Sequence, residues 1–236
     1  LASPACYNAK KRPSELVTST CAAGKERAIV TGLTVQALIS RIITLVIAFT
    51  LHEFSHAKAA DLLGDPTPRA AGRLTLNPLA HLDPLGTLML IVAGFGWAKP
   101  VPINPAALRQ KNRAGTMLVS LAGPLSNLVL AASAAMIIRL GLASIYAQGS
   151  SWLPTPGQFL LEFVYINVAL FLFNLIPLAP LDGEKVMEYL LPDRWQDGFA
   201  KLRQYGPILL LVLVVVGPRI GFDLFGTLIQ APLLRI

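Results

Sequence analysis

Along the 236 residues the apolar positions gather into runs at 42–51, most of 117–138, 159–181 and 208–216. A soluble core buries one such helix, but hardly four. Lipid offers loose backbone groups no partner, so the runs predict membrane-spanning helices. The first span is expected over about 33–63, stopped by Gly64-Asp65-Pro66, whose glycine and proline helices avoid. A Pro- and Gly-rich loop follows. The stretch "TLMLIVAGFGWAKP" is then too short to cross perpendicularly, which takes about 20 residues, and is expected to re-enter or to pair as a short strand at the interface. Further spans are expected at about 113–146 and 159–176. An amphipathic helix near 184–191 and a last hydrophobic hairpin or broken helix at 205–234 complete the chain. Residues 1–32 are polar, without helical period, and read as a mobile tail ahead of a membrane domain over 33–236. The fold class is therefore all-α: a polytopic, multi-pass helical bundle with short re-entrant or interfacial segments.

Composition agrees. Hydrophobic residues make up 54% of the chain and charged residues 14%, against roughly 25% charged in soluble domains. The net charge of +7 shows no basic stripe interleaved with aromatics, so no nucleic-acid partner is expected. In a membrane protein the ordinary cause is the cytoplasmic bias of Lys and Arg. Six basic residues lie between Gly64 and Arg113 and four follow the third span (Lys185, Arg194, Lys201, Arg203), while 147–158 has none. The first two regions are thus expected on the cytoplasmic side and 147–158 outside, in the cell membrane. The basic tail then falls on the wrong side, and the two cysteines in it, Cys6 and Cys21, define neither a metal site nor a redox compartment.

One stretch sets the chemistry. In "TLVIAFTLHEFSHAKAADLLG" two histidines and a glutamate follow a membrane-grade apolar run. Each ionisable side chain there costs about 2.5–3.5 kcal/mol on insertion scales. His52 and His56 are four apart, one turn above each other on a helix, and that spacing lets two imidazoles bind one zinc ion. Glu53 stands beside the first histidine, placed to take a proton from the attacking water without being a ligand. His52 lies about 28 Å along the helix from residue 33, toward its cytoplasmic end. A catalytic site needs a third ligand. "FNLIPLAPLDGEKV" breaks a span with Pro177 and Pro180 and follows them with Asp182-Gly183. Gly183 permits an unusual turn, and Asn174 is left to satisfy freed backbone or to bind substrate. Asp182 is either the N-cap of the helix near 184–191 or the third ligand; beside the histidine motif the ligand reading prevails.

At these motifs the sequence resembles the site-2 protease family of zinc intramembrane metalloproteases, in its compact branch. The matching pieces are "HEFSH", "GDPTPRAAGRLTLNPLAHLDPLGT", "GWAKPVPINP", "LAGPLSNL" and "FNLIPLAPLDG", collinear from about residue 45 to 190. The resemblance implies one Zn2+ per chain held by His52, His56 and Asp182, Glu53 as the catalytic acid–base, and membrane-protein substrates cut within the bilayer. It places Asn127 near the active site, in a substrate or oxyanion role or in packing with Gly123 and Pro124. Ala179 departs from relatives that carry a further proline there, and no appended PDZ module is expected. His81 and Asp83 either support the site or order their loop, the second being favoured. Arg41 and Arg139 read as snorkelling residues near membrane faces. Two rival functions remain. One is an ion or proton transporter using His, Glu and Asp as a relay; the other is an inactive relative that retains membrane clients.

Overall fold

A computed structural model describes residues 35–86, 97–143 and 152–217. Helix α1 runs over Val35–Leu62, α2 over Thr67–Ala70, α3 over Pro105–Lys111, α4 over Gly115–Arg139 and α5 over Pro156–Asn174. Helices α6 (Asp182–Leu190), α7 (Asp193–Arg203) and α8 (Gly206–Val215) follow. Helices α1, α4 and α5 are long and apolar enough to cross a membrane. Helix α4 packs against both other spans, and α6 lies against α4. The only sheet-like pairing among the described residues is an isolated bridge between Leu82 and Ala98. The tail 1–32, most of the short apolar segment at 87–96 and the end of the chain from 218 lie outside the described residues.

The ends of the spans follow from local chemistry. After α1, Gly64 takes φ +90°, and the N–H groups of Gly64 and Asp65 return to the carbonyls of Asp61 and Ala60. This six-residue closure needs a left-handed residue, which glycine supplies at little cost. The same closure at Gly141, φ +70°, ends α4 at Arg139, several residues before the expected 146. The apolar run continues past that point, so composition alone overstates the helix. Helix α5 starts three residues earlier than expected. Thr155 and Gln158 cap each other's backbone there, and Pro156 occupies the first turn.

Three helices were not anticipated: the single turn of α2, α3 and α7. Asn104 accepts from the N–H groups of Ala106 and Ala107 and so starts α3 with Pro105 in its first turn. The charged stretch from Asp193 to Arg203 forms α7, with Asp193 at its start and Lys201 and Arg203 in its last turn, as the helix dipole favours. Arg41 is not simply a snorkelling residue: its Nε donates to Glu162 Oε1 at 3.1 Å, joining α1 to α5. A charge pair between two spans satisfies both ions where lipid cannot.

Candidate metal centre

Helices α1 and α4 run antiparallel, and the functional groups match along that seam. His52 meets Asn127 and His56 meets Val119, with Gly123 between them at helical spacing of four. Both histidines are buried and Asn127 is fully so. His52 Nδ1 donates to Asn127 Oδ1 at 3.0 Å, and His56 Nδ1 donates to the Val119 carbonyl at 2.7 Å. These oxygens can only accept, so each ring carries its proton on Nδ1 and presents an Nε2 lone pair. The two Nε2 atoms stand 3.0 Å apart, with the rings edge to face at 84°.

The third member comes from the break after α5. Helix α5 ends at Asn174, a turn covers residues 175–181, and α6 opens at Asp182. The N-cap of α6 is Leu181, not Asp182. Asp182 is the first helical residue, and its Oδ2 lies 3.1 Å from His52 Nε2 and 3.3 Å from His56 Nε2. Gly183 does not take an unusual backbone turn. Its hydrogen lets α6 press against the carbonyls of Leu175 and Ile176, where a Cβ would collide.

Three acceptors therefore converge on one point with no donor among them. They repel one another unless a cation, either a metal ion or protons in its stead, lies between them. Their separations of 3.0–3.3 Å suit a tetrahedral ion. With bonds of about 2.0–2.1 Å, such an ion requires about 3.3–3.4 Å between ligand atoms. Gly123 makes room for this cluster: a Cβ on it would meet His56 Nε2, His56 Cε1 and His52 Nε2. Residue choice, tautomer and spacing all fit a zinc ion with an open fourth position.

Glu53 sits on α1 between the histidines, half-buried and outside the triangle of His52, His56 and Asp182. Asn174 closes α5, the helix that leads into the break before Asp182. Its Nδ2 donates to the Leu170 carbonyl of its own helix at 2.9 Å, the backbone-satisfying role weighed against substrate binding. Asn127 orients His52 through its amide oxygen, and its Nδ2, buried with no hydrogen-bond partner, is the donor that a substrate or oxyanion role would use. His81 is buried in the loop, where its Nε2 donates to the Thr75 carbonyl at 2.8 Å, and Asp83 Oδ1 accepts from the Gly86 N–H. The buried Arg73 guanidinium ties the same loop through the carbonyls of Ala80, Lys99 and Pro100. These contacts are loop ordering and do not reach the triangle.

Sequence reasoning missed the support beneath Asp182. Glu184, almost fully buried, pairs with Arg203 Nε of α7 at 2.9 Å and with Lys185 at 3.2 Å. Glu188 faces Arg109 of α3 at 3.6 Å. The i, i+4 acids of α6 were visible, but their partners Arg109 and Arg203 lie on other helices, far away in sequence.

A helical membrane bundle with a buried two-histidine, one-aspartate cluster beside a glutamate defines an intramembrane metallohydrolase class, and comparison with known proteins agrees. The model of Peptidase family M50 matches residues 139–215, a stretch that contains Asp182. The chain is 44% identical over 174 residues to "Putative zinc metalloprotease YwhC" of Bacillus subtilis, covering 74% of this chain and 79% of that protein. It is 34% identical over 224 residues to "Putative zinc metalloprotease Rip2" of Mycolicibacterium smegmatis, covering 86% and 81%. No solved structure matches. The chain belongs to peptidase family M50, the site-2 protease family. It is a multi-pass integral membrane protein.

Proposed function

We propose that His52, His56 and Asp182 hold one zinc ion and that Glu53 moves the proton during peptide hydrolysis. The chain is a zinc-dependent intramembrane endopeptidase whose substrates are membrane proteins. The observation that carries the residue assignment is the convergence of three lone-pair donors, each held by a separate helix contact, on one point. Zinc at that point supplies Lewis acidity, which lowers a water's pKa toward about 7 and polarises a carbonyl.

The protein's own groups do the rest. Asn127 and the Val119 carbonyl fix both imidazoles in one tautomer and orientation. The Glu53 carboxylate takes the proton of the attacking water and returns it to the departing amine nitrogen. Because His52 and His56 lie in the C-terminal half of α1, the cut falls toward the end of the bundle where α1 stops, the cytoplasmic side by its loop charges. A substrate helix must unwind locally to offer a peptide bond, and small or helix-breaking residues lower that cost.

Purified protein in liposomes, given a membrane-embedded substrate, tests this reading. Removal of zinc by a chelator abolishes cleavage and stoichiometric zinc restores it. Cleavage that persists in metal-free protein would overturn the reading.

A further inference from the structure

Helix α7 has three sides of different chemistry. One side faces the protein, where Arg203 pairs with Glu184 and the Gln196 amide donates to the Leu191 carbonyl at 3.3 Å. A second side carries Asp193, Asp197, Ala200 and Gln204, all exposed, which is a face for water. The third carries Trp195, 60% exposed, and Leu202, 45% exposed, seven residues apart and so nearly superposed down the axis. Tyr205, 54% exposed, continues this stripe just past the helix. Arg194 and Lys201, also seven apart and exposed, flank it along one edge.

An apolar stripe of Trp, Leu and Tyr bordered by two cations cannot be a water face, and no described residue covers it. Its place in the fold selects the occupant. Arg109, on the helix that leads into the start of α4, pairs with Glu188 near the end of α6. The start of α7 therefore lies at the membrane end where α4 begins. After it comes α8, whose Ile208, Leu211 and Val212 are apolar and exposed. The stripe is continuous in sequence with a lipid-facing segment, and its tryptophan and tyrosine are the residue types that settle at headgroup level.

We propose that α7 lies in the headgroup region of the bilayer, with Trp195, Leu202 and Tyr205 inserted and Arg194 and Lys201 on anionic lipid headgroups. Amphipathic helices of this pattern bind in the interface plane through buried apolar area plus attraction to anionic lipid. Arg203 then joins a lipid-bound helix to α6, the helix that carries Asp182.

Spin labelling of the full chain tests this, with Cys6 and Cys21 changed to Ser and single cysteines placed at 195, 202, 197 or 204. Labelled protein is reconstituted in phosphatidylcholine vesicles with and without phosphatidylglycerol. Collision rates with oxygen, which enters the membrane, and with a water-soluble nickel chelate are compared. The oxygen-to-nickel ratio is expected to be several-fold higher at 195 and 202 than at 197 and 204. It should rise further at 202 with phosphatidylglycerol, and Arg194→Gln with Lys201→Gln should remove that rise. Equal ratios at all four positions would place the stripe in water and overturn the proposal. Shielding of 195 and 202 from both reagents would mean that protein, such as a second copy, covers it, and would overturn it too. A ratio indifferent to phosphatidylglycerol would overturn the anionic preference.

Discussion

His52 Nδ1 donates its proton to Asn127 Oδ1, 3.0 Å between nitrogen and oxygen, across the seam between α1 and α4, with the asparagine wholly buried. The bond fixes which nitrogen of His52 faces Asp182. Partners of this kind, behind a ligand, set ring orientation and basicity, and their loss typically costs 10–100-fold in metal affinity.

Asn127→Ala is therefore expected to weaken zinc binding about 10–100-fold while leaving all three ligands in the chain. Asn127→Asp keeps an acceptor at the same point and should retain most of the affinity. Competition against a zinc chelator of known strength measures both. Unchanged affinity in Asn127→Ala would show that His52 needs no such orientation.

Gly123 gives a sharper steric test. Its missing side chain leaves the space that both histidine rings occupy. Gly123→Ala should displace the rings and lower zinc occupancy at least tenfold, an overpacking effect in a tight site. Gly198→Ala, in α7 with nothing near the added carbon, is the control. It should bind zinc as the wild type does and gain helix stability of about 0.5–1 kcal/mol. Equal zinc binding by both variants would contradict the packing described here.

The legible part of the fold was the part written in local pattern. The His-x-x-x-His spacing put both imidazoles on one face, and Gly64 marked the end of α1 because a left-handed residue was required there. The return of Asp182 to the two histidines followed from the broken span, although its place as first helical residue rather than cap did not. What stayed hidden depended on contacts between distant segments. The pairing of Arg41 with Glu162 spans 121 residues, so no window of sequence distinguishes it from a snorkelling arginine. The end of α4 was misjudged because apolar composition continues where Gly141 closes the helix. Helix α7 lies in the charged stretch between the elements expected at 184–191 and 205–234, to which no element was assigned.

The loop between α1 and α3 makes a pH-dependent contribution. Asp65 Oδ1 accepts from the Thr67 N–H, and its Oδ2 accepts from the Asn104 N–H. Burial alone would push this carboxyl up, but those hydrogen bonds outweigh it and hold Asp65 below the ordinary aspartate value. A lowered folded-state value means stability that is complete above the ordinary 3.8 and lost as pH falls through the folded value. Asp65→Asn should lower the thermal midpoint by about 2–4 °C at neutral pH. That gap should close in strongly acidic buffer, and a gap independent of pH would remove the charge from the explanation.

In the proposed mechanism three residues hold zinc while a fourth, Glu53, only moves protons. Zinc content and cleavage of a membrane-embedded substrate should be measured on the same purified samples of wild type, Glu53→Gln, His56→Ala and Asp182→Ala. Glu53→Gln should keep zinc near wild-type stoichiometry and lose about 10²–10⁴-fold or more in cleavage rate, the share that a positioned acid–base contributes. His56→Ala and Asp182→Ala should lose metal and cleavage together. Full cleavage by Glu53→Gln, or zinc lost from it, would rule out this division of roles.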